Sequence, residues 1–199
     1  MRRRARPAAF SPLAVAGGLT AALLLLAGAY LAVLHPGRPA GEAAIGRPFD
    51  LIGADGAHVT DRSYPGDYKL IYFGYTHCRD ECPAALNTIT AALDSLGGAA
   101  SRIRPIFITV DPERDTPTVV GAFVGNFSPK LVGLSGDAAQ VRQAEAAFRI
   151  AVHKGSGGDY DVDHSSVIFV MGPDGSFIQP LRADSSGAGM ADALRAIVG

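Results

Sequence analysis

Apolar and polar positions divide the chain into one long apolar stretch near its start and, after it, alternating strand-like and helix-like segments. Residues 49–60 alternate around Asp55-Gly56 and predict a β-hairpin, since an Asp-Gly turn matches the twist of two paired strands. Residues 68–75 are nearly all apolar, as in a central strand buried on both faces. Leu86, Ile89, Leu93 and Leu96 then recur at intervals of three and four, a helical spacing that Gly97-Gly98 closes. Pro83 fits the first turn of that helix, where amides have no intrahelical partner. A second buried strand is predicted at 103–110, a helix at 118–127, a short strand at 131–134 and a helix with an acidic start at 137–148. Residues 167–171 predict a third buried strand, which Gly172-Pro173-Asp174-Gly175 turns into 177–181 before a closing helix at 190–198. This order predicts an α/β domain with a mixed central sheet and helices on both faces.

The apolar stretch has a different meaning. Arg2, Arg3, Arg4 and Arg6 precede residues 8–34, which carry no charge. From 12 to 34 is 23 residues, a helix of about 34 Å, enough to cross a hydrocarbon core of about 30 Å. The arginines place the near end in the cytoplasm. The expected organisation is a cytoplasmic N-terminus (1–10), a transmembrane anchor (11–34), a tether rich in Pro, Gly and Ala (35–44) and a periplasmic domain (45–199) on the outer side of the inner membrane. A cleaved signal peptide is the alternative, but its apolar region is normally about 7 to 15 residues and Ala43-Ala44 is a weak cleavage site. Without the four N-terminal arginines, 14 Lys+Arg stand against 19 Asp+Glu, so the exported part carries −5. No basic or aromatic cluster of the kind nucleic-acid binding needs is present.

Cys78 and Cys82 are the only cysteines of the chain, and they follow the first buried strand directly. A domain of this size needs no staple to hold its core. Two thiols this close either hold a soft metal ion or shuttle between dithiol and disulfide. Were both helical, their spacing would put them on one helix face. Of the five histidines, His35 and His58 read as solvated, and His153 as surface. His77 is adjacent to Cys78, but adjacent side chains on an extended segment point apart. His164 stands in Asp161-Val162-Asp163-His164-Ser165-Ser166, just before a buried strand and near the loops of a sheet edge. Asp161 and Asp163 read as solvated loop acids or as groups that orient a ligand. In Asp111-Pro112-Glu113-Arg114-Asp115-Thr116-Pro117, Asp111 or Asp115 is expected to pair with Arg114 and cap the next helix.

Three motifs occur in order: Phe73-Gly74-Tyr75-Thr76-His77-Cys78 to Cys82-Pro83, then 110–117, then Val162-Asp163-His164-Ser165-Ser166. Together they resemble the Sco/SenC family of membrane-anchored copper proteins, across essentially the whole exported domain. The resemblance implies a thioredoxin-like fold and copper bound by Cys78, Cys82 and His164. It also implies a metallochaperone rather than an enzyme, with the dinuclear copper centre of cytochrome c oxidase subunit II as recipient. An upstream copper donor and a thiol reductant would be further partners. Arg79 departs from the family, where many relatives carry Pro between the cysteines. Soft thiolates suit Cu(I) and imidazole suits both copper oxidation states, so the ligand set is chemically consistent. The competing function is a thiol–disulfide oxidoreductase that keeps the recipient's cysteines reduced through Cys78 and Cys82. Only copper binding should depend strongly on His164.

Overall fold

The structure is a computed structural model that describes Tyr30 and residues 45–199 apart from Arg47 and Gly158. The expected anchor, apart from Tyr30, and His35 of the tether lie outside the described residues. Among those described, no helix is long and apolar enough to cross a membrane. The described residues from 45 onward belong to one compact unit.

The hairpin is β1 (Asp50–Gly53) and β2 (His58–Thr60), followed by β3 (Tyr68–Gly74) and α1 (Glu81–Leu96). A 3-10 turn (Gly97–Arg102) leads to β4 (Ile103–Thr109), α2 (Pro117–Gly125), β5 (Val132–Ser135) and α3 (Ala138–Phe148). Then come β6 (Val152–Lys154), β7 (Val162–His164), β8 (Val167–Met171), β9 (Phe177–Arg182) and α4 (Gly187–Val198). Seven strands form a mixed sheet in the order β2-β1-β5-β4-β3-β8-β9, while β6 and β7 form a separate two-stranded sheet. The α/β architecture expected from the alternation is present.

β3 lies in the middle of the large sheet, parallel to β4 and antiparallel to β8. Its successive side chains must point to opposite faces. Tyr72 meets Cys82 at the start of α1, while Phe73 meets Phe148 of α3 with ring centroids 5.2 Å apart. Helices therefore cover both faces, which is why this strand is apolar apart from Lys69. α1 starts earlier than its leucine spacing suggested: its buried stripe begins at Cys82 and runs through Ala85, Leu86, Ile89, Ala92, Leu93 and Leu96. Gly97, at φ +56°, ends the helix in a conformation that suits glycine.

The sequence predicts no strand between 148 and 167, and here the structure differs. Val152 pairs with His164, His153 with Asp163 and Lys154 with Val162. Three-residue strands with a largely polar, exposed partner strand leave too little periodicity to read. The 110–117 loop also differs from expectation. Asp111 does pair with Arg114, but neither Asp111 nor Asp115 caps α2; the Thr116 hydroxyl accepts the Val119 amide instead. Asp115 is fully buried and turned the other way.

Candidate metal centre

Topology brings three segments to one end of the sheet. Because β3 and β4 run parallel, the β3–α1 and β4–α2 loops emerge together at their carboxyl ends, the usual position of sites in open α/β sheets. β8 is antiparallel to β3, so it starts where β3 ends, and the hairpin preceding it arrives at the same place. His164 thus meets Cys82 across a separation of 82 residues, with Cys82 Sγ 3.6 Å from His164 Nε2.

The two cysteines are not equivalent. Cys78 is in the turn ahead of α1 and half-buried; Cys82 is on the buried face of the helix and fully enclosed. Of the two, only Cys82 is helical. Cys78 Sγ accepts the Cys82 amide at 3.2 Å, a helix N-terminal interaction that favours a thiolate. A hydrogen bond from the Cys82 thiol lowers the Cys78 pKa most, outweighing partial burial, and brings it to about 6. The same bond, together with burial, pushes Cys82 up. Tyr72, fully buried, directs its hydroxyl at Cys82 Sγ from 3.9 Å and is held neutral by burial. Gly74 makes room for this: a Cβ there would stand 2.8 Å from Cys82 Sγ and 2.7 Å from Phe107.

His164 is packed edge-on against Tyr72 and Tyr75, with ring centroids 6.2 and 6.1 Å away. Its Nδ1 lies 3.2 Å from the Ser165 carbonyl. With Nδ1–H donating to that oxygen, Nε2 keeps its lone pair for Cys82's surroundings or for a metal. For metal–sulfur and metal–nitrogen bonds near 2.3 and 2.0 Å, two donors on one trigonal or tetrahedral ion stand about 3.5–3.7 Å apart. The observed sulfur–nitrogen separation is in that range. Among the described residues, no group of three or more His, Cys, Asp or Glu side chains is already closed into a cage for a metal ion. Cys78 is engaged by the Cys82 amide and thiol rather than aimed with the other two donors.

The other described histidines stand apart from these donors. His58 is exposed and pairs with Asp50 at 2.8 Å, His153 is exposed on β6, and His77 turns toward Thr76, 3.2 Å away. Asp161 accepts the Tyr75 hydroxyl at 3.4 Å, and Asp163 is exposed. Both line an open cleft of about 440 Å³ with Cys78, Arg79, Glu81 and His164. Sequence reasoning missed Thr76, Tyr72 and Tyr160 as parts of this region. Tyr72 carried a signal, a phenol in the middle of a buried strand.

The family model for SCO1/SenC matches residues 37–199. The chain belongs to the SCO1/SenC family. It is 40% identical over 146 residues to the human mitochondrial SCO1 homolog, a match covering 71% of this chain and 48% of that protein. It thus spans about half the length of that relative. The structure of Bradyrhizobium japonicum ScoI with copper bound is 41% identical and superposes with a TM-score of 0.72, covering 77% of this chain and 99% of that one. Arabidopsis thaliana ScoI with copper bound is 37% identical, with a TM-score of 0.72 over 76% of this chain and 96% of that one. The fold is the thioredoxin-like fold of Sco proteins.

Proposed function

We propose that this chain is a copper metallochaperone that holds the ion through Cys78, Cys82 and His164 and delivers it to the copper centre of cytochrome c oxidase subunit II. The observation that carries this reading is the 3.6 Å approach of Cys82 Sγ to His164 Nε2 beside a second thiol. The solved relatives with copper bound support the choice of ion. Copper here is cargo. Delivery is ligand exchange: incoming thiolates of the recipient replace Cys78 and Cys82 while His164 detaches. An upstream donor loads the ion, and a thiol reductant keeps the pair reduced, since a disulfide offers no thiolate to Cu(I). The apolar segment at 12–34 anchors the chain in the inner membrane, with the N-terminus cytoplasmic and the copper domain on the periplasmic side.

A second reading has its own support. The half-buried Cys78 with pKa about 6, beside a buried, protonated Cys82, has the asymmetry of an attacking and a resolving thiol. In that reading the Cys78 thiolate attacks a partner disulfide, and Cys82 then displaces the partner as a free thiol, leaving Cys78–Cys82 oxidised.

Titration of the reduced full chain with Cu(I), against a chromogenic Cu(I) chelator, separates the two readings. The chaperone reading predicts one tightly held ion per chain, lost in Cys78→Ser and in the Cys78–Cys82 disulfide form, and much weakened in His164→Ala. Unchanged copper affinity in His164→Ala, with normal reduction of a recipient disulfide, would favour the oxidoreductase.

A further inference from the structure

The two halves of the site come from different parts of the fold, and one short loop touches both. Asp115 is fully buried. Its carboxylate accepts the Thr76 amide at 2.9 Å, the Thr76 hydroxyl at 2.5 Å and the Thr109 hydroxyl at 2.7 Å. Thr76 is two residues ahead of Cys78, so Asp115 holds the thiol loop to the end of β4. On the other side of the same loop, buried Asp111 accepts the Tyr160 hydroxyl at 2.7 Å and Arg114 Nε at 2.5 Å. Arg114 lies 3.7 Å over the Tyr160 ring and 5.8 Å from the centre of the Tyr75 ring, and Lys154 stands 4.2 Å over Tyr160. Tyr160 leads into β7, which ends at His164, and Lys154 is on the paired strand β6.

A helix-entry loop does not require this. Thr116 and Pro117 already start α2, yet Asp111, Arg114 and Asp115 are buried or nearly so and aimed away from that helix. Burying two carboxylates is costly unless each finds donors, so their hydrogen bonds fix the groups they reach. The β6–β7 hairpin is outside the main sheet and has no ladder to the strands beside it. Its place relative to β3 is set by the two-residue link to β8, the burial of Val162 and these side-chain ties.

We propose that the Asp111–Asp115 loop is the positioning element of the copper site: Asp111 and Arg114 set His164 through Tyr160, and Asp115 sets Cys78 through Thr76. None of these residues touches the ion; each acts through the residue it holds. The proposal rests on the assignment of His164 and Cys78 as copper ligands.

A double-mutant cycle on the full chain, read by Cu(I) affinity, tests it. Tyr160→Phe keeps the ring under Arg114 and removes only the hydroxyl bonded to Asp111. It should weaken Cu(I) binding about tenfold, as loss of a ligand-orienting partner does, and also lower apo thermal stability, because buried Asp111 loses a donor. In a His164→Ala background the same substitution should change affinity less than about twofold, because the group it orients is gone. Thr76→Val, which removes the hydroxyl bond to Asp115 and leaves the amide bond, should behave oppositely and keep its effect in the His164→Ala background. An equal effect of Tyr160→Phe in both backgrounds, or none in either, would overturn the positioning role. If His164→Ala alone bound copper like the parent, the ligand assignment itself would fall, and the positioning role with it.

Discussion

The thiol arm and the histidine arm of the site are built by different physics. Cys82 is on the buried stripe of a 16-residue helix, against the central strand, enclosed by Tyr72, Phe107 and Gly74. Its position is inseparable from the packing of the core. His164 ends a three-residue strand in a two-stranded sheet that is hydrogen-bonded to no other strand. Apart from the burial of Val162, the hairpin is held by a phenol–carboxylate bond, cation–ring contacts and exposed ion pairs. A ligand in the core is costly to move, whereas a ligand on a tied hairpin moves when its ties are broken. In the proposed chaperone, which must both hold and surrender a metal, this division would let the thiols stay while the imidazole comes and goes.

Substitutions that act on one arm only sharpen that contrast. Cys82→Ser removes a core-embedded donor and is expected to abolish tight Cu(I) binding in a chelator competition assay. Gly74→Ala should follow. The added methyl meets Cys82 Sγ and Phe107, so it should cost about 1–3 kcal/mol in urea unfolding, the range for an overpacked core, and displace the sulfur. His164→Ala should weaken copper binding severely while lowering stability by less than about 1 kcal/mol, since the His164 side chain is only partly buried at the end of the hairpin. Loss of stability rather than affinity in His164→Ala would erase the distinction between the arms.

The thiols also differ in their response to pH. Thiolate is the reactive form, and Cys78 has its pKa lowered to about 6 by the Cys82 hydrogen bond, while Cys82 is raised. Alkylation of Cys78 by iodoacetamide should therefore rise with pH through about 6 and be level by pH 8, with Cys82 unmodified. A single midpoint near the ordinary thiol value would contradict the asymmetry. The smallest expected effect belongs to Arg79→Ala. Arg79 pairs with Asp159 at 3.2 Å across the two arms, but both side chains are about four-fifths exposed. Exposed pairs contribute little, so copper affinity should change by no more than about twofold.

The same contrast explains what could be read from the residues alone. Core-built parts were legible: the apolar run of β3, the Leu86–Ile89–Leu93–Leu96 spacing and the Asp137 start of α3, which forms a capping box with Gln140. Cys78, Cys82 and His164 were singled out, and the fold brings Cys82 and His164 together. The β6–β7 hairpin escaped because three-residue strands with mostly polar residues carry no usable period. The role of Asp115 escaped because a buried carboxylate looks like any surface acid in a sequence, and its partner Thr76 is 39 residues away. Long-range polar ties leave no local pattern, whereas apolar burial does.

X-ray absorption of the reduced chain loaded with one Cu(I) tests the central claim most directly. Two sulfur donors and one imidazole nitrogen are predicted for the parent, with the nitrogen scattering gone in His164→Ala and a sulfur gone in Cys78→Ser. Copper bound by sulfur alone in the parent, or imidazole scattering that survives His164→Ala, would contradict the account.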